Sequence, residues 1–384
     1  MNKERNLNVE KIFKQALENH VKNNLSDAEK LYNQVLEIDP DHVDTHANLG
    51  VLFINLSKNQ KAIASSEKAI KINPNCFAAY NNLALAFKSI GELEKAAINY
   101  KKAIKIDPSN VTINNNLGKI FYQTGEFSKS LSYFEKVMLI EPDNSELANN
   151  LTNLFRVYKI NETADNDKNS LEQIFIFLLR KNNIFHTHII NNIIVFLLKV
   201  KNYDQIKTTF NLKTPLLKDR IIQKFLKEEL LLLTLQKSFP IESFLEKLLT
   251  KLRSEILLTL ENSSEFILKN FLNFIISLAE QCWFNEYIYS QNEKENSNLR
   301  NLKNKIESTN EINELEIAIL GCYIPLNTSK IIAKKLLKYQ SKNILFNDLI
   351  DVQIKEPLKE VDLMKSIKSF NKITDPISNI VREQ

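Results

Sequence analysis

The chain has 384 residues, 25% of them charged and 43% hydrophobic, with 51 Lys and Arg against 46 Asp and Glu and a formal net charge of +5 at pH 7. That length points to two or more cooperative units. The charge divides evenly, 20 basic against 18 acidic residues up to residue 160 and 31 against 28 beyond, so no basic half exists to track a phosphate backbone and nucleic acid is excluded as a partner class.

Five glycines and nine prolines supply few sharp turns and no glycine-rich loop, which predicts an all-α fold. The opening "MNKERNLNVEK" carries charge where a signal peptide needs an apolar core. Apolar runs such as "IIVFLLKV" and "LLLLTL" fall short of the roughly 20 residues that span a bilayer. Cys76, Cys282 and Cys322 lie far apart in sequence without a C-x-x-C pair, which suits a reducing compartment and buried or idle thiols. The expectation is a cytoplasmic protein with no membrane span.

From residue 9 the chain is periodic. Pro40, Pro74, Pro108 and Pro142 stand 34 residues apart and close the phrases "LEIDP", "IKINP", "IKIDP" and "MLIEP". Within the third copy, Tyr80, Leu83, Ala84 and Phe87 form the apolar stripe of a first helix, and Ala96, Tyr100 and Ala103 that of a second. Gly91 separates the two, and Asp107 with Pro108 prepares the next start. Small residues recur at Ala16, Gly50, Ala84 and Gly118 and at Ala28, Ala62, Ala96 and Ser130, where a larger side chain would push a helix pair apart.

The length, small residues, aromatics and closing proline resemble the tetratricopeptide repeat family. The resemblance covers four repeats over 9–142 and a fifth first helix, "SELANNLTNLFRVYK", at 145–159. It implies a helix-turn-helix solenoid over 1–160, with first helices lining the concave face. His46 and Asn114 stand where the family has a large aromatic, so those two helix pairs are expected to pack less tightly.

One column of this register is polar: Asn48, Asn82, Asn116 and Asn150, preceded by Ala47, Asn81, Asn115 and Asn149. Asparagine is a mediocre helix former because its amide competes for backbone hydrogen bonds. One amide offers both a donor and an acceptor, which matches a peptide group. The column therefore reads as a groove that holds the backbone of an extended polypeptide, or as amides inherited by duplication that bond their neighbours. It resembles the asparagine ladder of the eukaryotic O-linked N-acetylglucosamine transferase repeats.

Beyond Lys159 the register stops. Residues 161–170 read as a polar linker, and 171–384 as an irregular α-helical domain containing "LEQIFIFLLRK", "HIINNIIVFLLKV", "DRIIQKFLKEELLLLTLQ" and "IESFLEKLLTKLRSEILLTL". Next, Ile267, Phe271, Phe274, Leu278 and Cys282 share one helical face, with Trp283, Phe284, Tyr287 and Tyr289 crowding its end as a core cluster. A polar run over 291–314 separates these from "ELEIAILGCYIPL" and "TSKIIAKKLLKY".

The phrases "SLAEQCWFNEYIY" and "ILGCYIPL" and the ending "DPISNIVREQ", with Val381, Arg382 and Gln384, resemble the region that joins tetratricopeptide repeats to a class I S-adenosylmethionine-dependent methyltransferase in a group of bacterial proteins. That resemblance implies a catalytic domain downstream or on a separate chain. The chain itself lacks the strand, glycine-rich turn and acidic partner that hold such a cofactor, so no cofactor and no catalytic residue is expected here. His42 and His46 lack a third metal ligand, and His186 and His188 would point to different sides of a helix. Each cysteine lies in an apolar phrase unsuited to a nucleophile.

Together these readings describe a non-catalytic module that binds a protein or peptide. The alternatives are a helical enzyme of another type or a scaffold for envelope or secretion assembly.

Overall fold

The computed structural model describes residues 2–160, 168–181, 184–198, 203–212, 214–237, 242–262 and 265–366; these are helical with connecting turns and contain no strand. The fold is all-α. The phrase "DPISNIVREQ" and most of the expected linker lie outside the described residues. Two compact units divide the chain, Met1–Tyr158 and Lys159–Gln384.

The first unit consists of α1 (Asn2–Val21), α2 (Leu25–Ile38), α3 (Val43–Asn55), α4 (Asn59–Ile72), α5 (Phe77–Ser89), α6 (Leu93–Ile106), α7 (Val111–Gln123), α8 (Phe127–Ile140) and α9 (Leu147–Val157). Odd-numbered helices are the first helices of successive repeats. Helices α1, α3, α5 and α7 each pack on the second helix that follows, and first helices touch one another, α3 on α5 and α7 on α9. The small residues lie where expected: Ala16, Ala84, Ala28, Ala62 and Ala96 are fully buried. A Cβ at Gly118 would come within 2.5 Å of the Phe134 ring, so the large ring on α8 requires glycine on α7.

The turn between the two helices of each repeat uses one backbone device. Asn23, Ser57, Gly91 and Gly125, each 34 residues from the next, have φ of 62, 56, 82 and 78°. The following N–H returns to the carbonyl five residues back, as in Asn24 to Asn19 at 2.9 Å and Lys58 to Phe53 at 2.8 Å. This is the Schellman closure, which favours glycine at the left-handed position. Two copies use Asn and Ser there instead. Ser57→Gly is expected to stabilise the first unit by ~0.5–1 kcal/mol, the relief of left-handed strain exceeding the added chain entropy. Gly91→Ala, with no heavy atom within 4 Å of the new Cβ, is expected to destabilise it by ~1 kcal/mol through the backbone alone. Urea unfolding of the two variants checks both signs.

His46 and Asn114 fill the aromatic position by another route. His46 Nε2 donates to the Pro40 carbonyl at 2.9 Å, and Asn114 Nδ2 to the Pro108 carbonyl at 3.2 Å and to that of Asn110 at 2.9 Å. Both side chains are buried. The expected loosening is replaced by a polar tie from each first helix to the proline that closes the preceding repeat.

The second unit begins with α10 (Lys168–Arg180), whose first turn takes in residues 168–170 that polarity alone places in a linker, followed by α11 (Thr187–Val195) and α12 (Tyr203–Asn211). "DRIIQKFLKEELLLLTLQ" is two helices, α13 (Arg220–Phe225) and α14 (Glu229–Lys237), broken at 226–228. Then come α15 (Ser243–Glu261), α16 (Glu265–Lys269), α17 (Leu272–Phe284), α18 (Glu293–Ser308), α19 (Glu314–Gly321), α20 (Lys330–Leu336), α21 (Ile344–Ile350) and α22 (Glu356–Ser366). The polar run after Gln291 is mostly α18, opened by a capping box between Asn292 and Glu295 and anchored by buried Leu299, Leu302 and Ile306. Helix α17 is central, packing on α14, α19 and α21.

Arg253 and Glu280 are among the buried ionisable side chains of this core. Arg253 on α15, 1% exposed, donates to the carbonyls of Ser290 at 2.8 Å, Tyr289 at 3.3 Å and Cys322 at 3.4 Å. Its guanidinium lies 4.2 Å from the Tyr323 ring centroid and 5.2 Å from that of Tyr289. Tyr323 in turn donates to the Glu295 carboxylate at 3.0 Å. Glu280 on α17, 2% exposed, is pushed up to about 8, first by burial and then by Asp348, against a Gln236 hydrogen bond and Lys237.

Candidate functional site: the face of the first helices

The asparagine columns divide by what lies one repeat back. Asn82 is buried and its Nδ2 donates to the Ala47 carbonyl at 2.8 Å, a reach that the small side chain of Ala47 leaves open. Asn150 Nδ2 donates to Asn115 Oδ1 at 2.8 Å, across the same 35-residue step. For Asn48 the residue at that step is Phe13, whose ring is far larger than the Ala47 methyl, and the Asn48 Nδ2 turns to the Asp44 carbonyl of its own helix at 2.8 Å. Asn116 accepts from Lys88 Nζ at 3.3 Å, and the corresponding Asn81 Oδ1 is buried with no hydrogen-bond partner among the described residues. Asn115 is buried and donates to Glu146, whereas Asn149 is exposed.

Part of the ladder therefore braces one repeat against the next. Asn82, Asn115 and Asn150 commit donors within the solenoid, and each such bond adds about 0.5–1.5 kcal/mol. Asn48, Asn81, Asn116 and Asn150 are half-buried, and with exposed Asn149 they supply the polar surface of the face.

The charged groups of this face stand outside the asparagine columns. Lys88 on α5 contacts Asn116, and Lys119 on α7 pairs with Glu146 at 2.5 Å. The Lys88 ammonium is held below its ordinary range by burial and then by the neighbouring Lys119, against attraction from Glu146. Arg156 on α9 repeats the register of Lys88 two repeats on and is exposed. Three cations thus lie on this face, with Glu146 the carboxylate beside them; Asp44 on α3 and Glu10 on α1 repeat the Glu146 register and are exposed. The signal was available: Lys119 lies three residues after Asn116, on the same side of the helix.

The other candidate groups have structural roles. His42 caps α3, its Nδ1 accepting from the Thr45 N–H at 3.2 Å. His186 Nε2 donates to the Lys181 carbonyl at 3.0 Å, and the His188 ring lies 6.0 Å from that of Phe185. All three cysteines are buried. Cys282 and Cys322, 40 residues apart in sequence, meet in the core, where burial and then Cys282 push the Cys322 thiol up. Among the described residues no helix is long and apolar enough to cross a membrane.

Family models agree with this geometry. Residues 31–64 and 111–144 match models described as tetratricopeptide repeat, and residues 86–125 one described as TPR repeat. The chain carries tetratricopeptide repeats. No curated protein matches it. Among solved structures it is similar to MamA, with 24% identity over 36% of this chain and 82% of that one and a TM-score of 0.35. It is also similar to YrrB, titled a TPR protein with an unusual peptide-binding site, with 17% identity over 38% and 74% of the two chains and a TM-score of 0.35. PilF of Pseudomonas aeruginosa shares 18% identity over 58% of this chain and 97% of its own, with a TM-score of 0.39.

Proposed function

We propose that the chain is a protein-binding module that captures an extended polypeptide bearing an acidic group along the first-helix face. The observation that carries this reading is the pair of cations on α5 and α7: Lys88 and Lys119 are close enough to repel, and Glu146 is the carboxylate beside both. A partner carboxylate would relieve that repulsion, and the half-buried amides beside it would pair with peptide groups. The row supplies affinity in small increments, so no single asparagine dominates.

The test is a peptide-display selection on the full chain, followed by titration of the selected peptides. Lys88→Glu with Lys119→Glu is expected to weaken binding by at least about tenfold, the loss of one or two charge-assisted bonds. Selected peptides should be acidic. Recovery of neutral peptides that bind the double variant unchanged would reject the reading.

The finer part of the proposal is that the module targets a methyltransferase, in a reducing cytoplasmic setting that suits three buried thiols. It is supported by the resemblance of the phrases at 277–289 and 319–326. Calorimetric titration of S-adenosylmethionine into this chain alone is expected to give no saturable heat; saturable heat would make the chain itself an enzyme candidate.

A further inference from the structure

We infer that the cleft at the C-terminal end of α17 is a binding site for a methylated ammonium group. It has a volume of about 480 Å³ and is lined by Trp283, Phe284, Glu286, Tyr287 and Pro325. Three aromatic side chains and one carboxylate are the components of a cation cage: ring faces attract a cation through their quadrupoles, and alkyl groups on nitrogen spread its charge and fit an apolar wall.

The backbone here is bent to make this surface. Glu286 and Tyr287 are consecutive non-glycine residues with φ of 54 and 60°. At the repeat turns the left-handed position is a single residue, and in two of four copies it is glycine. Here two side chains are retained in that conformation, held by the Tyr287 N–H to the Cys282 carbonyl at 2.9 Å and to Asn285 Oδ1 at 3.2 Å. The turn presents Glu286 to solvent beside the rings, while Cys282 and Asn285 anchor it in the core. Strain of this kind persists only where the surroundings enforce it, and it concentrates at ligand clamps.

Charge complementarity identifies the occupant. Some aromatic rings of this unit carry a cation from the chain: Lys251 lies over Phe210, Lys227 over Phe271, and Arg253 over Tyr289 and Tyr323. The lining of the cleft holds no Lys or Arg, and Glu286 is its one charged side chain. The cleft is thus a cation-accepting surface without a cation. Simple ammonium keeps its water, whereas a trimethylated nitrogen is weakly hydrated and gives up little on entering an apolar cleft.

Trp283 is the only tryptophan in the chain, so its fluorescence reports the site without labelling. Tetramethylammonium chloride titrated into the full chain should give a saturable change in emission, and ammonium chloride at equal ionic strength should not. The neutral carbon analogue 3,3-dimethylbutanol should bind at least about fivefold more weakly than choline, and Glu286→Gln should weaken choline by a similar factor. A trimethyllysine peptide that binds more tightly than choline assigns the group to a protein, and the reverse order assigns it to a small molecule. A linear response shared with ammonium, equal binding of the neutral analogue, or a response to a proline-rich peptide where tetramethylammonium has none would each overturn the inference.

Discussion

Replacing Arg253 by Met is expected to destabilise the C-terminal unit by about 3–5 kcal/mol, the range for leaving a buried polar network without one of its members. A buried ion pair can often be exchanged for apolar residues at little cost, because both partners leave together. Arg253 differs because its direct partners are the backbone carbonyls of Tyr289, Ser290 and Cys322, which no side-chain replacement can remove. Met fills similar space but returns none of the donors. Lys is expected to recover only part of the loss, since one ammonium cannot span three acceptors and stack between Tyr289 and Tyr323 as the flat guanidinium does. Urea unfolding, followed through Trp283, measures the effect; a Met variant within about 1 kcal/mol of wild type would contradict it.

The second large effect is a pH dependence centred on Glu280. Its folded pKa of about 8 stands above the ordinary carboxyl value of 4.5, so the native state holds a proton that the unfolded chain releases between those values. The contribution is fully present below about 4.5 and is lost as pH rises through about 8. Asp348, raised chiefly by burial, acts in the same direction. Glu280→Gln mimics the protonated form and can keep the Gln236 hydrogen bond. Its advantage over wild type is therefore expected to be near zero at about pH 4.5 and to grow to roughly 3–4 kcal/mol by pH 7.5. A stability difference that does not vary with pH would show that Glu280 is ionised in the folded protein.

How much could be read from sequence depended on whether the physics was local. The closing prolines and small residues repeat every 34 positions because each repeat solves the same packing problem, and the helices fall accordingly. The left-handed turns were harder to see: Gly91 announces its position, but Asn23 and Ser57 occupy the same one without a glycine. Helix α18 was legible in principle through its capping box and its Leu299, Leu302 and Ile306 stripe, yet its high charge masked the period. The breaks at 226–228 and at Asn270–Phe271 carry no proline or glycine, since tertiary packing decides them.

The candidate site shows the same division. Register located the asparagine columns, but whether each amide braces the solenoid or faces outward depends on the residue 35 positions earlier, Ala47 for Asn82 and Phe13 for Asn48. Lys88 and Lys119 come from different repeats and meet only in the folded solenoid. The contact between Cys282 and Cys322 likewise depends on α17 packing against α19.

The central claim is that the first-helix face holds a polypeptide, and site-directed photocrosslinking tests it most directly. A crosslinking residue at Asn149, exposed on that face, and one at Lys68, on second helix α4, are each combined with an acidic peptide selected on the full chain. Capture at 149 but not at 68, abolished by Lys88→Glu with Lys119→Glu, is the predicted result. Equal capture at both positions, or capture that survives the charge reversal, would contradict it.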